Sequence, residues 1–176
     1  ADSVQMIAQL QDESGESESA LKNYREALDL RRPLGDKQGI GNVLNDLGTY
    51  FASRGKYNDA LTQFKEALQV QREVRNQAAE ARALNNIGIM YIALGAYDDA
   101  KTYLQQAATL MERIDVPSER ADMLHNLAEV SVKTGEYETA LEQYLKALEM
   151  RRKIGDRRGA AIESYSIGSI FDYQGR

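Results

Sequence analysis

His125 and Glu129 are the first pair whose type and spacing suggest chemistry, because residues four apart sit one turn apart on a helix and can share a metal ion. Two ligands do not complete such a site, which takes at least three from the protein. The expectation is therefore no bound metal and a partly exposed histidine. Little else in the chain is equipped for catalysis. There is one histidine and no cysteine, which removes thiolate nucleophiles, disulfides and cysteine-ligated metals together. No glycine-rich phosphate loop occurs, and no serine has a nucleophile's setting. Aspartates and glutamates are spread along polar faces rather than paired for acid–base work. The reading is a non-enzyme that needs no cofactor.

What recurs instead is binding chemistry. Asn42, Asn45, Asp46, Thr49 and Ser53 share one polar helix face. The same places hold Arg82, Asn85, Asn86, Ile89 and Ala93 forty residues on, then Asp122, His125, Asn126, Glu129 and Lys133. A carboxamide both donates and accepts, so a row of them can bracket a peptide unit. The alternative use of such amides is to bond between neighbouring helices or to face water. Asp46 and Ser166 interrupt the register of Asn86 and Asn126, and Met6 ends it. A ladder of asparagines is expected only over the third and fourth repeats. Arg82, Glu129 and Lys133 add charge that would select a partner.

These residues are positioned by a repeat. GKYNDALTQFKEA from Gly55 returns as GAYDDAKTYLQQA from Gly95 and GEYETALEQYLKA from Gly135, with a worn copy from Gly15 and a fifth opened by Gly175. The period is 40 residues throughout. Apolar residues spaced by three and four, such as Ile40, Val43, Leu44, Leu47 and Phe51, then Ala60, Leu61, Phe64, Ala67 and Leu68, predict two amphipathic helices per repeat. Each helix has about 16 residues and spans ~24 Å. Gly55, Gly95 and Gly135 predict left-handed caps ending the first helix. Asn58, Asp98 and Glu138 are expected to begin the second. Gly35-Asp36, Arg75-Asn76, Asp115-Val116-Pro117 and Gly155-Asp156 are the turns between repeats, and Pro33 is placed to kink a last helical turn.

Small residues mark where helices cross: Gly48, Gly88, Ala128 and Gly168 in one register, Ala20, Ala60, Ala100 and Ala140 in a second, and Ala27, Ala67, Ala107 and Ala147 in a third. A glycine inside a helix costs about 1 kcal/mol relative to alanine, so its recurrence implies close helix contact. Tyr24, Phe64, Leu104 and Tyr144, with Tyr57, Tyr97 and Tyr137, would fill the wider spaces.

The chain resembles the tetratricopeptide-repeat family. The resemblance is carried by Leu44, Leu47, Gly48, Phe51, Gly55, Tyr57, Ala60, Phe64 and Ala67, and by their counterparts Leu84 to Ala107 and Leu124 to Ala147. The 40-residue period exceeds the usual 34 and is similar to that of kinesin light chains and bacterial regulatory proteins. Ser17 stands where later repeats have tyrosine, which predicts looser packing in the first. The expected fold is all-α, a right-handed superhelical solenoid of antiparallel hairpins covering 1–176 as one domain, with repeats 1–40, 41–80, 81–120 and 121–160 and a lone first helix over 161–176. The chain reads as a piece of a longer, cytoplasmic protein.

The resemblance also implies that the first helices line a concave groove in which asparagines hold a peptide by its backbone. The groove mostly lacks the basic residues that the family's carboxylate clamp needs. The expectation is a scaffold for a protein or peptide partner. Its rival is a regulatory module acting on an attached catalytic or DNA-binding domain. The net charge of −5 supplies no field for nucleic acid or an anionic membrane, and no apolar run reaches the roughly 20 residues of a membrane span. Arg151, Arg152, Lys153, Arg157 and Arg158 form one basic cluster, matched by Arg31 and Arg32 and read mainly as helix-terminal charge. Ile167, Ile170 and Phe171 on the last helix are expected to lie uncovered and to invite self-association.

Overall fold

Turns at fixed intervals cut the apolar pattern into short amphipathic helices, and a computed structural model shows how they pack. It describes residues 1–114 and 116–173. Asp115, in an expected turn, and Gly175, the start of a fifth copy, lie outside the described residues. Among the described residues are nine helices: α1 (Asp2–Glu13), α2 (Ser17–Arg31), α3 (Lys37–Ala52), α4 (Tyr57–Glu73), α5 (Gln77–Ala93), α6 (Tyr97–Met111), α7 (Pro117–Lys133), α8 (Tyr137–Lys153) and α9 (Arg157–Tyr173). The fold is an all-α helical-repeat solenoid. Two compact units can be distinguished, Ala1–Met90 and the chain from Tyr91 on.

The cap chemistry follows the sequence closely. Gly55 has φ +70°, and the Gly55 and Lys56 amides donate to the Ala52 and Phe51 carbonyls, each at 3.0 Å, which satisfies carbonyls orphaned at the end of α3. The second helices begin at Tyr57, Tyr97 and Tyr137, one residue before the expected starts, so Asp98 and Glu138 act from the first turn rather than as caps. Between repeats the caps are side chains. Asp36, Asn76 and Asp156 Oδ1 accept from the amides of Gly39, Ala79 and Gly159 at 2.9, 3.1 and 2.8 Å. Arg75 takes φ +56° where Gly35 and Gly155 stand in the other turns. Pro33 does not kink a helix: α2 ends at Arg31 with Arg32 as its cap, and the proline falls in the turn beyond.

In the first unit, α1 to α4 enclose Tyr24, Leu28, Val43, Leu44, Leu47 and Tyr50 around Ala20, Ala27 and Ala67. A Cβ at Gly48 would overlap the ring of the buried Phe64, which is why that crossing takes glycine. The first hairpin is not loose at Ser17. Tyr50 donates from its hydroxyl to the Ser17 carbonyl at 2.9 Å, and Arg54 donates to Ser17 Oγ at 2.7 Å. Arg54 also stacks 3.8 Å over the Tyr50 ring and pairs with Asp12 at 2.8 Å. Hydrogen bonds and a cation over a ring replace the missing tyrosine.

In the second unit, Ala100, Leu104, Leu127 and Val130 form one cluster and Ala128, Ala140, Tyr144 and Ile170 another. Ile170 is 1 % exposed and Ile167 packs beside it, contrary to the expectation that both lie uncovered. They face back toward α7 and α8. The apolar surface that α9 does expose is Ile162, Tyr165 and Phe171, with Tyr165 at 79 %. At Gly168 a Cβ would meet nothing within 4 Å, so close helix contact does not explain that glycine.

Two glycines of this register, Gly48 and Gly168, should therefore respond oppositely to alanine. Gly48→Ala collides with a buried ring and should lower stability by about 1–3 kcal/mol. Gly168→Ala adds only helix propensity and should raise it by roughly 0.5–1 kcal/mol. Urea melts of both variants check the pair of signs.

Candidate functional site

The polar residues of the first helices meet one another side by side. In the first unit, Gln5 and Gln9 of α1 donate to Asp46 Oδ2 of α3 at 2.7 and 2.8 Å. Asn86 of α5 donates to Asn45 Oδ1 of α3 at 2.9 Å. Gln5 pairs with Asp46, and Asn45 with Asn86, at the same sequence separation of 41 residues. These rungs tie α1 to α3 and α3 to α5, so the polar ladder begins in the first repeat, earlier than the asparagines alone suggest. Burial raises the Asp46 carboxyl pKa, against the two glutamine bonds that lower it. Asn42, Thr49 and Arg82 are exposed, and Asn85 is half-buried. Between these helices lies a cavity of about 250 Å³ lined by Gln5, Gln9, Asn42, Asn45, Asp46, Gln71 and Arg82.

In the second unit, His125, Asn126 and Glu129 of α7 are half-buried and Lys133 is exposed. The partner of His125 is Glu163 of α9, with Nδ1 and Oε2 2.9 Å apart, and its ring meets Tyr144 edge-on at 5.3 Å. The Glu163 hydrogen bond and charge raise the His125 pKa against desolvation. Among the described residues, no three potential ligands gather as a metal site.

The basic cluster is not one surface. Arg151 is buried and bonds three carboxylates: Asp122 Oδ1 at 2.5 Å, Asp156 Oδ2 at 2.7 Å and Glu163 Oε1 at 3.2 Å. Arg31 repeats the arrangement with Asp2 Oδ1 at 2.6 Å, Gln5 Oε1 at 2.9 Å and Asp36. In both, an aspartate precedes the arginine by 29 residues and another follows it by 5. Gly39 and Gly159 stand where a Cβ would overlap the arginine. Each guanidinium thus clasps a first helix, a second helix and the following turn. The intervening repeats place Gln71 and Met111 at the same register. Arg152, Lys153, Arg157 and Arg158 remain exposed, Lys153 pairing with Glu149 at 2.7 Å.

The clasps, Glu163, Gln5, Gln9 and Gln71 are functional or structural residues that the charge pattern alone does not reveal. The signal for the clasps is the joint recurrence of Asp, Arg, Asp and Gly at matching offsets, Asp2, Arg31, Asp36 and Gly39 against Asp122, Arg151, Asp156 and Gly159.

Sequence models of the tetratricopeptide repeat match residues 39–113, 120–154 and 1–33. The chain belongs to the tetratricopeptide-repeat family. Among curated protein sequences none matches significantly. Of solved structures, BtubC (BKLC) from P. vanneervenii superposes with a TM-score of 0.89 at 19 % identity, covering 99 % of this chain and 72 % of that one. The apo form of RapI gives 0.90 at 21 % identity, covering 96 % and 47 %. Aspartyl phosphate phosphatase F from Bacillus subtilis gives 0.83 at 17 %, covering 97 % and 48 %. This tetratricopeptide chain therefore spans about half the length of the last two, and the likeness concerns the fold. A chain of this family is a protein-interaction or regulatory module. No described helix is long and apolar enough to cross a membrane.

Two outcomes test the clasp and its neighbour. Arg151→Met leaves Glu163, which is 0 % exposed, without its guanidinium partner and should cost about 3–5 kcal/mol. Adding Glu163→Met gives both positions the residues of the preceding repeat, Met111 and Met123, each buried there, and should recover most of the loss in denaturant melts. For His125 the raised pKa means the folded state holds the proton more tightly than the unfolded state does. Its contribution is full below the unfolded value of 6.5 and disappears as pH rises through the folded value. With Glu163, Glu129 and Arg151 as the charges acting on the ring, the melting temperature should fall as pH rises above 6.5 through the raised folded value, and fall less in His125→Gln.

Proposed function

We propose that this tetratricopeptide chain is a scaffold that holds an extended peptide segment of a partner protein on the polar face of its first helices. The observation that carries the reading is the amide-lined cavity of the first unit, where Asn42 and Asn45 stand beside the rung of Gln5, Gln9 and Asp46. Glutamine and asparagine side chains fixed by one bond keep further donors and acceptors for a second partner. A peptide backbone, with alternating N–H and C=O groups, is the ligand that a row of such groups fits without demanding one sequence. Arg82, Glu129 and Lys133 then select among side chains.

In this reading Asn42, Asn45, Asp46, Thr49, Arg82, Asn85 and Asn86 form one stretch of the face, and His125, Asn126, Glu129 and Lys133 the other. Rungs such as Asn86 to Asn45 hold the face rigid before a ligand arrives, which lowers the ordering cost of binding.

Selection from a library of displayed random peptides provides the check. The chain should enrich a peptide family, and a folded Asn42→Ala, Asn85→Ala, Asn126→Ala variant should bind the winners roughly tenfold or more weakly. Equal binding to both proteins, or the absence of any enriched peptide, overturns the proposal. A regulatory module acting on an attached domain is then the surviving reading.

A further inference from the structure

At one register of the second helices stand Leu28, Leu68 and Leu148, but the third repeat has Ala108 there. The three leucines are buried, at 6, 6 and 7 % exposure. A register of the first helices responds to the change: Leu44 and Leu84 are each 1 % exposed, whereas Leu124 is only half-buried. In the first unit Leu28 and Leu44 share one apolar cluster. In the second a groove of about 360 Å³ is lined by Ala108 of α6, Leu124 of α7 and Met150 of α8. Alanine lacks the branched end of leucine, so apolar surface that a leucine would cover stays in contact with water. The rim of the groove is charged, with Arg120, Lys146 and Lys153 against Glu112 and Glu149. Lys153 holds Glu149 at 2.7 Å, while Arg120 and Lys146 form no ion pair among the described residues. The corresponding groove of the first unit is bridged instead, Arg32 reaching Asp29 at 4.0 Å and Glu66 at 3.8 Å. Glu112 and Lys146 stand at the registers of Arg32 and Glu66 with the signs exchanged.

We propose that this notch docks an aliphatic side chain of a partner protein, a leucine or one of its size, on a segment that carries Asp or Glu within a turn of it. The chain itself shows which group fits, since leucine fills the register in the other three repeats. Covering Leu124 and Met150 supplies the driving force. The unpaired Arg120 and Lys146 favour an acidic segment over a basic one. Glu112, Lys146, Glu149 and Lys153 are exposed, so the groove lies open at the surface and suits a polypeptide rather than an enclosed metabolite. Arg120 and Leu124 sit one turn apart on α7, on the side away from Asp122 and Asn126. The notch is therefore a separate surface from the polar face that holds the peptide backbone in the scaffold reading, and it does not rest on that reading.

Ala108→Leu tests the notch first without a ligand. Restoring the leucine of the other repeats should fill the groove and raise the urea midpoint. A lower midpoint, or a chain that no longer folds, overturns the proposal, because the notch then does not admit a leucine. Binding is read on the whole chain with two libraries of displayed peptides, one with a fixed leucine among random positions rich in Asp and Glu, the other with alanine in place of that leucine. The leucine library should yield binders that Ala108→Leu weakens at least about tenfold. The double variant Arg120→Glu, Lys146→Glu should weaken them as well, and Asn42→Ala, Asn85→Ala, Asn126→Ala should leave them unchanged. Equal yield from the two libraries, no binder from the leucine library, or binders that hold to Ala108→Leu as tightly as to the parent chain overturns the notch. Binders lost only in the asparagine variant retain the scaffold reading and reject this site. Binders lost in Ala108→Leu and kept by the asparagine variant establish the notch whatever the outcome for the polar face.

Discussion

Alanine and glycine stand buried at recurring positions where helices of this chain pack, and the rest of the structure depends on that. Ala20, Ala60, Ala100 and Ala140, and Ala27, Ala67, Ala107 and Ala147, are all buried to 1 % exposure or less. Backbones that approach at such points fix the interaxial distance near the short end of the usual 8–10 Å. The larger side chains, Tyr24, Phe64, Leu104 and Tyr144, are then confined to the gaps beside each crossing, where they too are buried. A one-residue insertion would swing an alanine out of the crossing by about 100° and a bulky neighbour in. The constancy of the 40-residue period follows from this geometry.

Once the backbones are spaced by packing, polar side chains of successive repeats are brought to fixed separations, and three different chemistries occupy one register. Arg31 and Arg151 each gather carboxylates from a neighbouring helix and the next turn, and each needs glycine eight residues on to make room. Gln71 takes the place with a neutral amide and Met111 with an apolar chain. A buried ion pair contributes little net stability over a well-packed apolar pair, but losing one partner is costly. The clasps thus make two junctions intolerant of mismatch.

The binding face and the core obey different rules for this reason. In the core each repeat must offer nearly the same shape, so Leu44, Leu84 and Leu124 or Ala60, Ala100 and Ala140 recur. On the first-helix face the register of Asn45 continues as Asn85 and His125, and that of Thr49 as Ile89 and Glu129. Variation is cheap there because the backbone spacing does not depend on it.

The sequence by itself determined the all-α class, the hairpin repeat and its period, because a 3.6-residue apolar pattern and turn glycines are local signals read within a few residues. It placed the left-handed caps at Gly55, Gly95 and Gly135 and the turns at Gly35-Asp36 and Gly155-Asp156 for the same reason. It did not show that Ile170 folds back into a core, that Ser17 is held by Tyr50 and Arg54, or that Pro33 falls outside α2. Nor did it separate Arg151, clasped among carboxylates, from the exposed Arg152 beside it. Apart from Pro33, a local helix boundary, those depend on which residues a dozen or more positions away arrive at the same point, and that is set by helix packing.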